Sequence, residues 1–301
     1  MPVPQFPEFR PIEINHKNTI STIFETIDPV ISEFTFTNLF VWRHSYQFQV
    51  SLLDGTLLVL ACPEHDSHFF MPPAGETITI QTLETMFSFM SKQGWLPEIR
   101  RFSRQLVEEL DLWDNPQFKV TPNREDYDYV YRTRDLIELK GKKLRKKKNH
   151  LNYFLKHYDF VFEPLTTSTV NLCLKMQEEW CNLRNCSDHS MLTSEDFAVF
   201  EALHHWEDLN YEGGIILIDG KVEAFSLGER LNKVTAVVHF EKANPKIRGL
   251  YPAINRLCCK NLWSNYTYIN REQDLGEEGL RQAKLSYNPC FLVEKYTITP
   301  R

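Results

Sequence analysis

Residues 213–255 read GGIILIDGKVEAFSLGERLNKVTAVVHFEKANPKIRGLYPAIN. The runs Gly213–Asp219 and Val222–Glu229 flank Asp219-Gly220, and an Asp-Gly pair between two strand-like runs is the strongest short hairpin signal a sequence carries. A third strand, Val234–Glu241, follows directly. A loop with Pro245 and Gly249 then leads into a helix over 251–263. The stretch is an antiparallel meander that delivers its last strand to a helix N-terminus.

Working outward, the periodicity predicts a strand at 266–270, a helix at 277–286 and a strand at 290–298. Upstream it predicts helices at 142–157, 169–184 and 194–208, with a strand at 158–164. The first half has a similar order. A helix over 16–28 and an aromatic-rich segment, Ser32–Phe40, precede a second Asp-Gly hairpin, in which Phe48–Leu53 and Thr56–Ala61 flank Asp54-Gly55. A strand at His68–Met71, a helix over 76–92, a strand at Trp95–Phe102, a helix over 103–112 and a strand at Asp126–Tyr131 follow. The fold class is α/β (α+β). At 301 residues the chain exceeds the roughly 250 at which a single core stops growing, so two domains are expected. The segment Asn115–Asp126, with two prolines and mixed charge, is the boundary, giving domains 1–120 and 121–301.

Composition narrows the function classes. No run approaches the ~18 apolar residues a spanning helix needs, and the Pro-rich start MPVPQFPEFRPIEI is neither a signal peptide nor an anchor. A cytoplasmic protein is expected. Seven cysteines without a CxxC pair argue for reduced thiols, against a disulfide framework and against a zinc ribbon. The adjacent pairs His204-His205 and Cys258-Cys259 point to different helix faces, so no metal site is expected. P-loop, GxSxG and GxGxxG patterns are absent. With a net charge of −6, any site for nucleic acid or phosphate has to be local.

Five segments bear a family resemblance: SEFTFTNLFVW at 32–42, LIELKGKKLRKKKNHLNYF at 136–154, AFSLGERL at 224–231, HFEKANPKIRGLYPAIN at 239–255 and YINREQDLGEEGLRQAKLSYNP at 268–289. The chain resembles the phosphatidylglycerol lysyltransferase C-terminal domain family, whose members resemble tandem GNAT-like (Gcn5-related acetyltransferase-like) domains. That implies two acyltransferase domains, each a mixed, mainly antiparallel sheet flanked by helices. Characterised lysyltransferases move an aminoacyl group from a charged tRNA to a lipid head group and carry a large membrane domain, which has no counterpart here. The resemblance therefore implies an acyl- or aminoacyl-transferase. Its donor is acyl-CoA or aminoacyl-tRNA, its acceptor an amine or hydroxyl on a small molecule, peptide or lipid head group, and no cofactor is required. The alternative is a non-catalytic protein that binds RNA or an anionic ligand through the same fold.

Four groups of residues are candidates for that chemistry. Residues 140–148 (KGKKLRKKK) place Lys142, Lys143, Arg145, Lys146, Lys147 and Lys148, with Asn149, at the start of a helix whose dipole already disfavours cations. Stability would not choose that arrangement. The cluster suits phosphates of tRNA, a nucleotide, coenzyme A or an anionic head group, against the alternative of a solvated charged face. The loop 241–251 brings Lys246, Arg248, Gly249 and Tyr251 to a helix N-terminus, an anion-binding geometry. It resembles the position where GNAT-like folds hold the pyrophosphate of acyl coenzyme A, although only Arg248-Gly249 of the usual phosphate-loop pattern is present. The competing reading is a helix-entry turn in which Gly249 supplies backbone freedom.

Glu241 lies at the end of its strand, where α/β folds place ligands, on the same face as His239; it ranks above the histidine as a proton acceptor. Arg271 and Glu272 follow a strand and can orient an amine or an ester, or else form a buried structural pair. Asp274 with Glu277 reads as a helix cap with its capping-box partner. Tyr287, just beyond helix 277–286, is a candidate general acid by resemblance to GNAT-like folds, or a packing residue.

Overall fold

The computed structural model describes residues 2–301. The chain forms two compact units, one of residues up to Asp128 together with Val293–Arg301, the other of Tyr129–Leu292. In chain order the first unit contains β1 (Arg10–Pro11), α1 (Lys17–Ile27), α2 (Phe36–Val41), α3 (Arg43–Tyr46), β2 (Gln49–Leu53), β3 (Thr56–Ala61), β4 (Phe69–Phe70), α4 (Ile80–Lys92), β5 (Ile99–Ser103), α5 (Arg104–Glu109) and β6 (Phe118–Pro122). The second contains β7 (Asp128–Arg132), α6 (Thr133–Glu138), α7 (Arg145–His157), β8 (Val161–Pro164), α8 (Thr167–Arg184), α9 (Ser190–His204), α10 (Trp206–Leu209), β9 (Glu212–Ile218), β10 (Lys221–Arg230), β11 (Thr235–Ala243), α11 (Leu250–Asn261), β12 (Tyr268–Asn270), α12 (Glu278–Leu285) and β13 (Phe291–Val293). The last strand, β14 (Lys295–Pro300), returns to the first unit.

Each unit is built on a seven-stranded mixed sheet with helices packed against it, as expected. The strand orders are β1-β2-β3-β4-β5-β14-β6 and β13-β7-β12-β11-β10-β9-β8. Both expected hairpins form. Asp54 and Gly55, like Asp219 and Gly220, have positive φ, the backbone a two-residue turn needs to match the twist of its strands. Each sheet also contains a parallel pair, β4–β5 in the first and β11–β12 in the second.

The end of the chain differs from the expected single strand over 290–298. The alternating apolar pattern does continue, but the chain changes sheets at Glu294: β13 lies at the edge of the second sheet, whereas β14 runs between β5 and β6. Lys295 accounts for the switch. It is fully buried, and its Nζ lies 2.7 Å from Glu33 Oε2 and 2.6 Å from Asp128 Oδ1. Arg101 joins the same network, with Nη2 donating to the Tyr46 hydroxyl at 2.7 Å and Nε 3.5 Å from Glu33 and 3.7 Å from Asp126. Ser32 donates to Asp128 through both its N–H and its hydroxyl. Burial raises the Glu33 carboxyl pKa against the pull of Lys295.

One other expectation changes, that of reduced thiols throughout. Segment 115–126 holds β6, which joins the first sheet. The aromatic segment 32–40 leads into α2, capped by the Thr35 hydroxyl. Cys181 and Cys186 form a disulfide across the end of α8, where Asn185 turns the chain with φ 51°; the expectation of reduced thiols holds for the other five cysteines. Among the described residues no helix is long and apolar enough to cross a membrane.

Candidate functional site

β11 and β12 pair through three positions only, Thr235↔Tyr268, Ala236↔Ile269 and Val237↔Asn270. Beyond Val237, β11 continues to Ala243 paired with β10 alone, while the other chain turns away at Arg271 and Glu272, the latter with φ 56°. The strands part, and side chains span the gap. His239, the extra residue of a bulge opposite Leu227 and Gly228, and Glu241 both reach across it.

The Glu241 carboxylate is held at both oxygens, Oε1 by Arg271 Nη2 at 2.9 Å and Oε2 by Asn255 Nδ2 at 2.9 Å. Its side chain is only 8% exposed. Two buried polar atoms beside it have no hydrogen-bond partner among the described residues, Arg271 Nη1 and Asn255 Oδ1. Burial disfavours the Arg271 charge, but Glu241 more than compensates and keeps the guanidinium protonated. Its Cζ lies 4.8 Å from the centre of the Tyr287 ring and 5.8 Å from that of Tyr131. Burial raises the Tyr287 pKa, so its phenol stays neutral.

His239 is clamped between two carboxylates, Nδ1 to Glu272 Oε1 and Nε2 to Glu229 Oε1, each at 2.8 Å. Burial alone would lower its pKa; the two carboxylates outweigh it and push the value up to about 9. It is an imidazolium at neutral pH and cannot serve there as a base.

The loop that carries Arg271 and Glu272 is fixed from several sides. The Arg271 N–H donates to the Tyr129 carbonyl and the Glu272 N–H to Asn270 Oδ1. Lys284 of α12, itself buried, donates through Nζ to the carbonyls of Arg271 and Gln273. Asp274 is not the expected helix cap. It is fully buried and takes a two-pronged pair from Arg281 at 2.9 Å and the Tyr129 hydroxyl at 2.6 Å, and Glu277 holds the cap position without a side-chain bond.

The basic run divides in two. Helix α7 starts at Arg145, so Lys142 and Lys143 precede it, and both are exposed, as are Arg145, Lys146, Lys148 and Asn149. Lys147 alone is half-buried, with Nζ 4.1 Å from the centre of the Tyr287 ring. Burial first, then repulsion from Arg271, lowers its pKa to about 8. Among the described residues it has no hydrogen bond and no carboxylate partner. Leu144, Leu151 and Phe154 form the buried face of α7, whereas Leu155 is exposed.

The loop before α11 is more structural. Gly249 is the N-cap of α11 with φ 86°, and a Cβ there would collide with the His150 carbonyl oxygen of α7. The glycine is needed for the approach of α7 to α11. Arg248 stacks on Tyr153 at 4.3 Å, Lys246 is exposed with its N–H on Asn244 Oδ1, and the Tyr251 hydroxyl accepts from Trp180 Nε1 at 3.0 Å.

Of the sequence candidates, Glu241, Arg271, Glu272, Tyr287 and Lys147 thus form one neighbourhood; Gly249 and Tyr251 contact α7 and α8, Arg248 lies on Tyr153, and Lys246 is exposed. Glu229 and Asn255 were not anticipated. Asn255 carried a faint signal, a polar residue among the apolar positions of a buried helix.

Comparison with known proteins supplies the family. The model of the phosphatidylglycerol lysyltransferase C-terminal region matches residues 24–299. The chain belongs to this family. A crystal structure of a conserved protein of unknown function from Bacteroides thetaiotaomicron is 33% identical, with TM-score 0.90 over 97% of this chain and 99% of that one. The C-terminal domain of a putative lysylphosphatidylglycerol synthetase from Agrobacterium fabrum shares the fold at 13% identity and TM-score 0.68, covering 95% and 92% of the two chains. An uncharacterised protein of Mycoplasmoides gallisepticum is 29% identical over 180 residues, and the match spans 56% of this chain and about half, 55%, of that protein.

Proposed function

We propose that this family member transfers an activated acyl or aminoacyl group to an amine or hydroxyl acceptor in the opening between β11 and β12. The observation that carries the reading is the buried Glu241–Arg271 pair. Arg271 and Asn255 hold the carboxylate in one orientation, yet each keeps a polar atom with no partner among the described residues. A pair built only for stability would have those atoms satisfied, since an unmet buried donor or acceptor costs about 1–3 kcal/mol.

Attack on an ester or thioester needs positioning and charge stabilisation rather than a protein nucleophile. In this reading Glu241 takes the proton the acceptor releases. Arg271 sets its orientation and places a permanent positive charge beside the reacting carbonyl. The neutral Tyr287 phenol is the donor for the leaving group. His239 ties Glu229 of β10 to Glu272 across the strand opening and so holds the site's shape. The donor is aminoacyl-tRNA or acyl-CoA. The exposed side chains of Lys142, Lys143, Arg145, Lys146 and Lys148 favour the RNA, whose binding would then weaken steeply with salt.

The test incubates the purified protein with tRNA charged with labelled amino acids, or with labelled acetyl-CoA, in the presence of phosphatidylglycerol vesicles or a panel of small amines. Label appearing in an acceptor supports the reading. Binding of uncharged tRNA without transfer from any donor would leave the protein as a binder of RNA.

A further inference from the structure

Lys147, Arg271 and Glu241 gather around Tyr287, two cations to one carboxylate. The two cations share a single tyrosine ring, with Arg271 Cζ at 4.8 Å and Lys147 Nζ at 4.1 Å from its centre. Glu241 uses its oxygens on Arg271 Nη2 and Asn255, and among the described residues Lys147 has no carboxylate of its own. The cluster therefore carries one positive charge that no carboxylate among the described residues neutralises. It also offers unused donors, Arg271 Nη1 and the Lys147 ammonium, beside an unused acceptor, Asn255 Oδ1 of a residue that is 1% exposed. We infer that Lys147 and Arg271 together bind a singly charged oxyanion, a phosphodiester or a carboxylate, of the molecule that reacts at Glu241, and that Asn255 Oδ1 accepts from an N–H or O–H of the same molecule.

This assignment rests on the proposed transfer reaction only for what the bound molecule does next; the charge balance stands without it. It also separates Lys147 from its neighbours in 142–148. Those side chains point to solvent and can follow a long polyanion, whereas Lys147 addresses one charge at one place. The groups that face it are Arg271 after β12, Glu241 on β11, Tyr287 after α12, and Lys146 and His150 on its own helix. Of these only Glu241 is acidic. An arriving oxyanion favours the protonated amine, so binding takes up a proton as pH rises toward the value of about 8 at which Lys147 titrates in the empty protein.

Titration calorimetry of the whole chain tests this with three probes at pH 6.5, 7.5 and 9: glycerophosphoglycerol for a lipid head group, cytidylyl-adenosine for the end of a tRNA, and acetate for a carboxylate. At least one should bind at pH 6.5 and weaken about tenfold per unit above pH 8. Lys147→Met should weaken that probe about tenfold or more, the loss expected for a hydrogen bond to a charged group. Lys147→Arg should keep binding and lose the pH dependence. Lys119→Met, an exposed charge removed in the other unit, controls for net charge. Which probe binds identifies the source of the oxyanion. Binding unaffected by Lys147→Met, or a Lys147→Arg protein with the unaltered pH profile, overturns the assignment, as does the failure of all three probes. Probe binding with this pattern in a protein that transfers nothing would sink the proposed reaction and leave the oxyanion site standing.

Discussion

The two units each bury an arginine near their parallel strand pair, and they treat it in opposite ways. In the first, Arg101 and Lys295 are matched by Glu33, Asp126 and Asp128, with Ser32 and Tyr46 filling further hydrogen bonds. In the second, Arg271 and Lys147 face Glu241 alone, and Arg271 Nη1 and Asn255 Oδ1 stay unpartnered. A closed network tethers segments that are distant in sequence, here the residues around 33, 101, 128 and 295. An open one holds charge and hydrogen-bonding capacity ready for something outside the chain. On the proposed reading the same residue types mean structure in one place and binding in the other, and the difference lies in what is left over.

The largest effect should come from breaking the closed network. Lys295→Met leaves Asp128 buried without its cation and Glu33 with only the more distant Arg101, which should cost about 3–5 kcal/mol in urea unfolding of the full chain. A loss below about 1 kcal/mol would mean the network is not the tether described.

His239 sharpens the comparison through pH. Its folded-state pKa, about 9, lies above the ordinary histidine value, so its contribution is complete below about pH 6.5 and is lost as pH rises through 9. Wild-type stability should fall by roughly 2 kcal/mol between pH 7 and 10 on this account. His239→Gln should flatten that part of the profile; an unaltered slope would assign it to other groups.

The smallest effect has the opposite sign. The Lys147 pKa is depressed, so the amine destabilises the empty protein below about pH 8, and that penalty is relieved as pH climbs toward the ordinary lysine value. Lys147→Met should stabilise the protein at pH 7 by about 1 kcal/mol, a figure discounted for partial exposure, and the gain should vanish near pH 10. Destabilisation instead would mean the amine is a structural partner of Tyr287.

How far these features were legible in the sequence depends on how local their signals are. The Asp54-Gly55 and Asp219-Gly220 turns announce both hairpins, because positive φ at two successive positions restricts the residues that fit. Glu241, Arg271, Glu272 and Tyr287 could be singled out as polar residues at strand ends and just past a helix, although nothing local shows that they converge. Glu229 was hidden by its place in an ordinary alternating strand, and its partner His239 lies ten residues away across a β-bulge. Lys147 was hidden among identical neighbours; only the pitch of α7 turns it toward Tyr287. The change of sheets at Glu294 left no local trace, since PheLeuVal and TyrThrIle alternate equally well in either sheet, and what decides it is a lysine whose carboxylates lie more than 160 residues upstream.

The central claim, that the open Glu241–Arg271 pair performs acyl or aminoacyl transfer, is tested most directly by Arg271→Lys. The substitution keeps the charge and removes the planar fork that orients Glu241. With whichever donor and acceptor support transfer by the wild-type protein, the variant should lose about a hundredfold in kcat/KM while its melting temperature changes little. Undiminished transfer by a folded Arg271→Lys protein would contradict the account.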